Sequence, residues 1–192
     1  MISHKHKFIF IGISKAASGS VRKTFDDLYD IHAHGPKRHG NTYYVHHGAD
    51  YIKEHFDRKG WDWDNYFSFA FVRNPWARKV SLWKYWLLRS ESRWSFKKFV
   101  IEKREDSKGY TPYYCDKEGN ILLDFIGKVE DLQGGIDIIC DKVGIPHRKL
   151  PEKHIHQTKH KHYTEYYDDE TKQIVAERYA KDIVSFGYEY GE

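Results

Sequence analysis

Two short runs carry almost no polar side chains: Phe8-Ile9-Phe10-Ile11 and Phe67-Ser68-Phe69-Ala70-Phe71-Val72. Their length and aromatic, β-branched content are those of strands. A strand that is apolar on both faces must be covered on both, which is the situation of a parallel sheet in an α/β protein. Each run is followed by helical spacing. Val21, Phe25, Leu28 and Tyr29 share one helix face, and Val80, Leu82, Trp83, Trp86 and Leu87 mark a helix from about Pro75 to Arg89. Strands that alternate with helices in this way form βαβ units.

The rest of the chain continues the pattern. Residues 42–46 (Thr-Tyr-Tyr-Val-His) read as a short strand ahead of a helix through Tyr51, Ile52 and Phe56. A helix after Ser95 carries Phe96, Phe99 and Val100 on its apolar stripe. The Glu118-Gly119-Asn120 turn leads into an expected strand over Ile121–Val129. Leu132, Ile136, Ile139, Cys140 and Val143 mark a helix that stops at Gly144 and Pro146. A last helix begins near Asp168-Asp169-Glu170, whose charges suit its positive end, and runs to about Ile183.

Composition narrows the class. A chain of 192 residues suits a single domain, 1–192, with a real core. The mean hydropathy is low, -0.80, so much of the burying falls to aromatics: 15 Tyr, 11 Phe and 6 Trp. A net charge of +4 is too mild for a nucleic-acid coat and fits a basic site for an anionic small molecule. Two cysteines, Cys115 and Cys140, argue against a disulfide framework and for a reducing compartment. The early apolar run Phe8–Ile13 is too short for a membrane span or a signal segment. The expectation is a soluble, cytoplasmic protein with no membrane partner.

Two strand ends carry the chemistry. After Ile11 comes a loop of small residues, Gly12 to Gly19, around Lys15, and Ser18 or Ser20 is placed to cap the next helix. Backbone N–H groups of such a loop attract an anion, and a lysine adds a mobile charge. It is not a Walker A loop, because Lys15 precedes the small residues instead of closing them. After Val72 comes Arg73, then Pro75 at a position that tolerates a missing N–H, with Ser81 about two turns further on. In an open α/β sheet ligands bind beyond the carboxyl ends of the strands, so Lys15 and Arg73 are both expected to face that crevice. A ligand with two separated phosphate-type groups would satisfy both.

Here the residues resemble a known family. Ser14-Lys15-Ala16-Ala17-Ser18-Gly19-Ser20 resembles the 5′-phosphosulfate loop of sulfotransferases that use 3′-phosphoadenosine 5′-phosphosulfate (PAPS). Arg73-Asn-Pro-Trp-Ala-Arg-Lys-Val-Ser81 resembles their 3′-phosphate motif. Asp124-Phe-Ile-Gly-Lys-Val-Glu130-Asp-Leu, and the run from His160 through Tyr163, Tyr166 and Tyr167 to Asp182 and Phe186-Gly187-Tyr188, are similar to segments of the Golgi carbohydrate branch. The resemblance implies a P-loop-like three-layer fold with a central, mostly parallel sheet flanked by helices. It implies sulfuryl transfer from PAPS to a hydroxyl on a glycan acceptor, with 3′-phosphoadenosine 5′-phosphate (PAP) as product and no metal required.

The resemblance assigns roles position by position. Lys15 serves the sulfate side and the bridging oxygen. The amides of Ala17, Ser18, Gly19 and Ser20, with the two serine hydroxyls, hold the 5′-phosphate, and Arg73 and Ser81 hold the 3′-phosphate. Gly19 stands where the family usually has Thr, and Ser14 replaces a frequent Pro; neither change removes a charge. A base for the acceptor hydroxyl is sought in His46 and His47, which end the expected second strand. His47, followed by Gly-Ala-Asp-Tyr-Ile, is the better match and His46 the second; adjacent strand residues point to opposite faces, so at most one serves.

Lys153 to Tyr163 has two readings: a basic flap that contacts the nucleotide through Lys159, Lys161 and Tyr163, or a solvated basic loop. The His-x-His pairs lack a companion Cys or carboxylate at ligand spacing, so no metal site is expected. Trp83 and Trp86 read as core, and Trp76, at the helix start, as a candidate for stacking on adenine or a sugar. Two rival functions stand beside this one. A kinase on a P-loop-like fold would need ATP and magnesium, and a basic nucleic-acid-binding domain would bind in a strongly salt-sensitive way.

Overall fold

The computed structural model describes residues 1–31, 47–90, 93–102, 109–152 and 161–192. Its strands are β1 (Ile2–Ser3), β2 (Phe8–Ile11), β3 (Phe67–Val72) and β4 (Phe125–Lys128). Its helices are α1 (Ser18–Thr24), α2 (Ala49–Lys59), α3 (Pro75–Leu87), α4 (Phe96–Glu102), α5 (Thr111–Tyr114), α6 (Leu132–Val143), α7 (Asp169–Arg178) and α8 (Ala180–Phe186). The chain divides into two compact units: Met1–Val72 with Thr111–Ile155, and Arg73–Tyr110 with His156–Glu192.

The first unit holds the sheet, in the order β1-β2-β3-β4. β2 and β3 are parallel, with Phe8 beside Phe67 and Ile11 beside Ala70. β3 and β4 are parallel, with Val72 beside Lys128. β1 pairs antiparallel to β2; two residues are too few to carry a periodic signal, and this strand was not expected from sequence. The result is the mixed α/β architecture anticipated above, a mostly parallel sheet flanked by helices. Phe8, Phe10, Phe69 and Phe71 form one buried face with Val21, Phe25 and Tyr29 and with Leu132, Ile136, Ile139 and Cys140 of α6. Phe10 and Phe69 stack at 5.2 Å between centroids, a geometry that adds about 1 kcal/mol to simple burial. Cys115 and Cys140 are both buried and not bonded to each other.

Three sequence expectations change in detail. The strand expected over 121–129 begins only at Phe125. Ile121 is 64% exposed and makes a single bridge to Cys115, so its hydrophobicity reflects no buried face. Asp124 opens the ladder instead: its N–H donates to the Ser68 carbonyl at 3.0 Å, and its Oδ2 accepts from Ser68 N at 2.7 Å and Ser68 Oγ at 2.8 Å. Neither Ser18 nor Ser20 caps α1; the cap position is Ala17, with a left-handed φ of 55° and no side-chain cap bond. α1 also ends sooner than its apolar spacing suggests, and Phe25 and Tyr29 reach the core from the turns beyond it.

The second unit is helical. Trp76, Val80 and Trp83 pack with Phe96, Phe99, Val100, Tyr163, Val175 and Tyr179. Lys79 is 1% exposed, and its ammonium lies 5.1 Å from the centre of the Phe99 ring, a cation–π contact that offsets part of its burial. Asp168 starts α7 with a capping box to Thr171. The single helix expected through Ile183 is broken at Tyr179 into α7 and α8, and the Tyr179 ring is buried at 2% exposed. Among the described residues no helix is long and apolar enough to cross a membrane.

Candidate functional site

The loop after β2 is the most unusual piece of backbone in the first unit. Lys15 and Ala17 both take left-handed conformations, with φ of 63° and 55°. For residues with a Cβ this costs roughly 1–2 kcal/mol each, and such strain concentrates where backbone must present its polar groups in a set direction. Between them the Ala16 N–H turns back to the Ile13 carbonyl at 3.3 Å. The first intrahelical bond of α1 runs from Val21 N to Ala17 O, so the amides of Ser18, Gly19 and Ser20 are the donors of an open helix start. A turn with left-handed residues ahead of a helix is the type of setting in which backbone N–H groups can gather around an anion. Lys15, Ser14, Ser18 and Gly19 are half-buried, and Ser20 is buried.

His47 lies just ahead of α2, where Gly48 occupies the cap position. Its ring stacks on Tyr51 at 3.9 Å between centroids and 16° between planes. Partial burial lowers the His47 pKa below its ordinary value, since the charged form is disfavoured away from water. The imidazole is therefore neutral at pH 7 and able to accept a proton. Gly48 has a steric reason to be glycine: a Cβ there would lie 2.0 Å from the Pro112 carbonyl oxygen, so this close approach to α5 fixes where α2 and His47 begin. Hydrophobic spacing gave Gly48 no role. His46 and the strand expected over 42–46 lie outside the described residues.

In the second unit Arg73 comes directly after Val72 and is half-buried. Asn74, to which the sequence motifs assigned no role, organises the start of α3. Its Oδ1 accepts from Trp76 N at 3.1 Å and Ala77 N at 3.3 Å, capping the helix, while its Nδ2 donates to the Glu189 carbonyl at 2.9 Å. Asn at a cap and Pro at the first helical position is a strong start signal, and the Asn-Pro pair was the clue available. Ser81 sits on α3 two turns later and is 5% exposed. Arg78, from the same motif, is 2% exposed; its Nη1 donates to Tyr179 Oη at 3.3 Å.

The remaining candidates scatter. The Lys161 ammonium pairs with Glu165 at 3.0 Å on an exposed surface. Tyr163 is 4% exposed, and its hydroxyl oxygen accepts from Gly191 N at 2.6 Å. Lys159 lies outside the described residues. Trp76 is not a platform for a base or sugar: it is 4% exposed, its Nε1 donates to the Lys172 carbonyl at 3.1 Å, and Tyr190 meets it edge-on. The parallel register brings β2 and β3 to the same edge of the sheet, so the Lys15 loop and Arg73 both continue from carboxyl ends of neighbouring strands.

In the first unit, then, a mostly parallel sheet leads at the end of β2 into a lysine-bearing loop and a helix start with open amides, a setting suited to an anion. The profile of the Sulfotransferase family matches residues 1–189, and the chain belongs to that family. A crystal structure of a sulfotransferase from Alicyclobacillus acidocaldarius shares the fold, with a TM-score of 0.51 at 12% identity over 93% of this chain and 92% of that one. An uncharacterized protein of Archaeoglobus fulgidus is 35% identical over 86 residues, which is 43% of this chain and 72% of the relative.

Proposed function

We propose that the protein transfers a sulfuryl group from PAPS to a hydroxyl of a carbohydrate. What carries the reading is the pair of left-handed residues around Ala16, a strained turn that includes Lys15 and leads into the open helix start of α1. These residues fit a phosphosulfate, since they offer several N–H donors, one lysine and no acidic side chain in the first turn of α1. Arg73 and Ser81 take the 3′-phosphate, and the Arg73 guanidinium provides the forked donor that such a group favours.

The acceptor oxygen attacks sulfur as the bond from sulfur to the bridging oxygen breaks. The electron pair of that bond leaves with the 5′-phosphate of PAP, and the acceptor proton passes to His47. Charge grows on the bridging oxygen during this step, so a cation at Lys15 stabilises the transition state more than the bound substrate. Lys161 and Tyr163 are assigned supporting positions on the nucleotide side, Lys161 as a charge and Tyr163 through the packing that fixes the chain around it.

The direct test uses radiolabelled PAPS with a panel of glycans in the presence of EDTA. Label should move to at least one glycan without added metal. Lys15→Ala should lower kcat about 100- to 1000-fold, the usual loss when one stabiliser of a developing oxyanion is removed, while PAP still binds. Transfer that survives Lys15→Ala at the wild-type rate would remove Lys15 from the mechanism.

A further inference from the structure

Arg73 is fixed through its backbone by a buried tyrosine that is 37 residues away in the chain. The Tyr110 hydroxyl donates to the Arg73 carbonyl oxygen. Tyr110 is itself 0% exposed, and three features hold it. Its N–H donates to Asp182 Oδ2 at 2.9 Å, and Asp182 is 1% exposed. The Arg78 guanidinium lies 4.9 Å from the centre of the Tyr110 ring. Gly109, at a φ of +67°, lets the chain pass so close to Asp182 that a Cβ there would fall 2.1 Å from Oδ2. Burial raises the Tyr110 pKa far above that of a free phenol, against the opposing pull of Arg78, so the hydroxyl keeps its proton at every working pH.

We infer that Tyr110 is a positioning residue for the donor site: through its hydrogen bond to the Arg73 carbonyl it sets the direction in which the Arg73 side chain leaves the end of β3. The nature of the contact supports this. The bond falls at the junction between β3 and Asn74, the cap of α3, where the backbone changes from extended to helical. A directional bond to a carbonyl holds the peptide plane, and the plane limits where the attached side chain can point. A packing role alone would be served by phenylalanine. The hydroxyl adds one directional bond, and that bond ends on the residue that carries the proposed 3′-phosphate contact. Its consequence for binding rests on the PAPS reading; its effect on Arg73 does not.

The test therefore has two arms, both with Tyr110→Phe, which keeps the ring against Arg78 and removes only the hydroxyl. In the free protein, NMR follows the Arg73 carbonyl carbon and the Arg73 Nε order parameter. The variant should shift the first and lower the second, while resonances of the Lys15 loop stay in place. In the second arm PAP is titrated into both proteins. The variant should bind about 3- to 10-fold more weakly, the worth of one neutral hydrogen bond, and should raise the KM for PAPS without changing the KM for the acceptor. In the wild-type protein the Tyr110 hydroxyl proton should be protected from exchange with solvent, a check that needs no substitution.

An Arg73 side chain and carbonyl unchanged by Tyr110→Phe would overturn the inference, as would a Tyr110 hydroxyl proton that exchanges like that of a free phenol. Absence of PAP binding to the wild-type protein would count against the donor assignment, and the first arm would still decide whether Tyr110 orients Arg73.

Discussion

Lys15 and His47 divide the proposed chemistry, and they differ in how their roles can be read from outside. In that proposal Lys15 acts on a leaving group, so its loss belongs in kcat and leaves PAP binding largely intact. His47, as the proposed base for the acceptor proton, must be neutral to work. Its pKa lies below the ordinary 6.5 because burial disfavours the charged ring. The active form is the unprotonated one, so kcat/KM should hold level at neutral pH and fall only as the pH drops through that lowered value. The pH–rate profile should therefore show an acid limb below 6.5. His47→Ala should cost about 100- to 10,000-fold and abolish that limb. A limb that persists in His47→Ala would place the base elsewhere, with His46 the first alternative to substitute.

The starts of α2 and α3 each depend on one residue, Gly48 and Asn74, whose importance is invisible in hydrophobic spacing. Asn74 is the clearest. Asn74→Ala removes two acceptor contacts at the start of α3 and takes away the side-chain donor to the Glu189 carbonyl. The expected cost is about 2 kcal/mol, from loss of a cap and of a partly buried hydrogen bond. Asn74→Asp, which keeps the acceptor and loses the donor, should fall between wild type and Ala in urea unfolding; an Asp variant no better than Ala would show that the cap contributes nothing. β2, β3, α2, α3, α4 and α6 were legible because long apolar runs and 3.6-residue stripes are written in the side chains themselves. β1 was too short, Ile121 was apolar but exposed, and the break at Tyr179 depends on a packed ring that no local pattern announces. The left-handed conformations of Lys15 and Ala17 were also beyond reach, since neither is a glycine and nothing in their side chains demands them.

For the molecule as a whole, the motifs behind the proposed donor site stand out in the sequence because each is local: a lysine within a small-residue loop, an arginine before Asn-Pro. What was not readable joins distant segments, such as Tyr110 to Arg73 or Asn74 to Glu189, because sequence spacing holds no record of such contacts. The two-unit division puts Lys15 and His47 in one body and Arg73 and Ser81 in the other, so each half of the donor assignment can be tested by itself. The central claim is that this family member takes a nucleotide bearing a 3′-phosphate. Calorimetric titration with PAP and with ATP, both in EDTA, tests it most directly. PAP should bind one-to-one, ATP should bind far more weakly, and Arg73→Ala should weaken PAP about 10- to 100-fold, the worth of hydrogen bonds to a charged group. Equal or tighter binding of ATP, or no heat with PAP, would contradict the account.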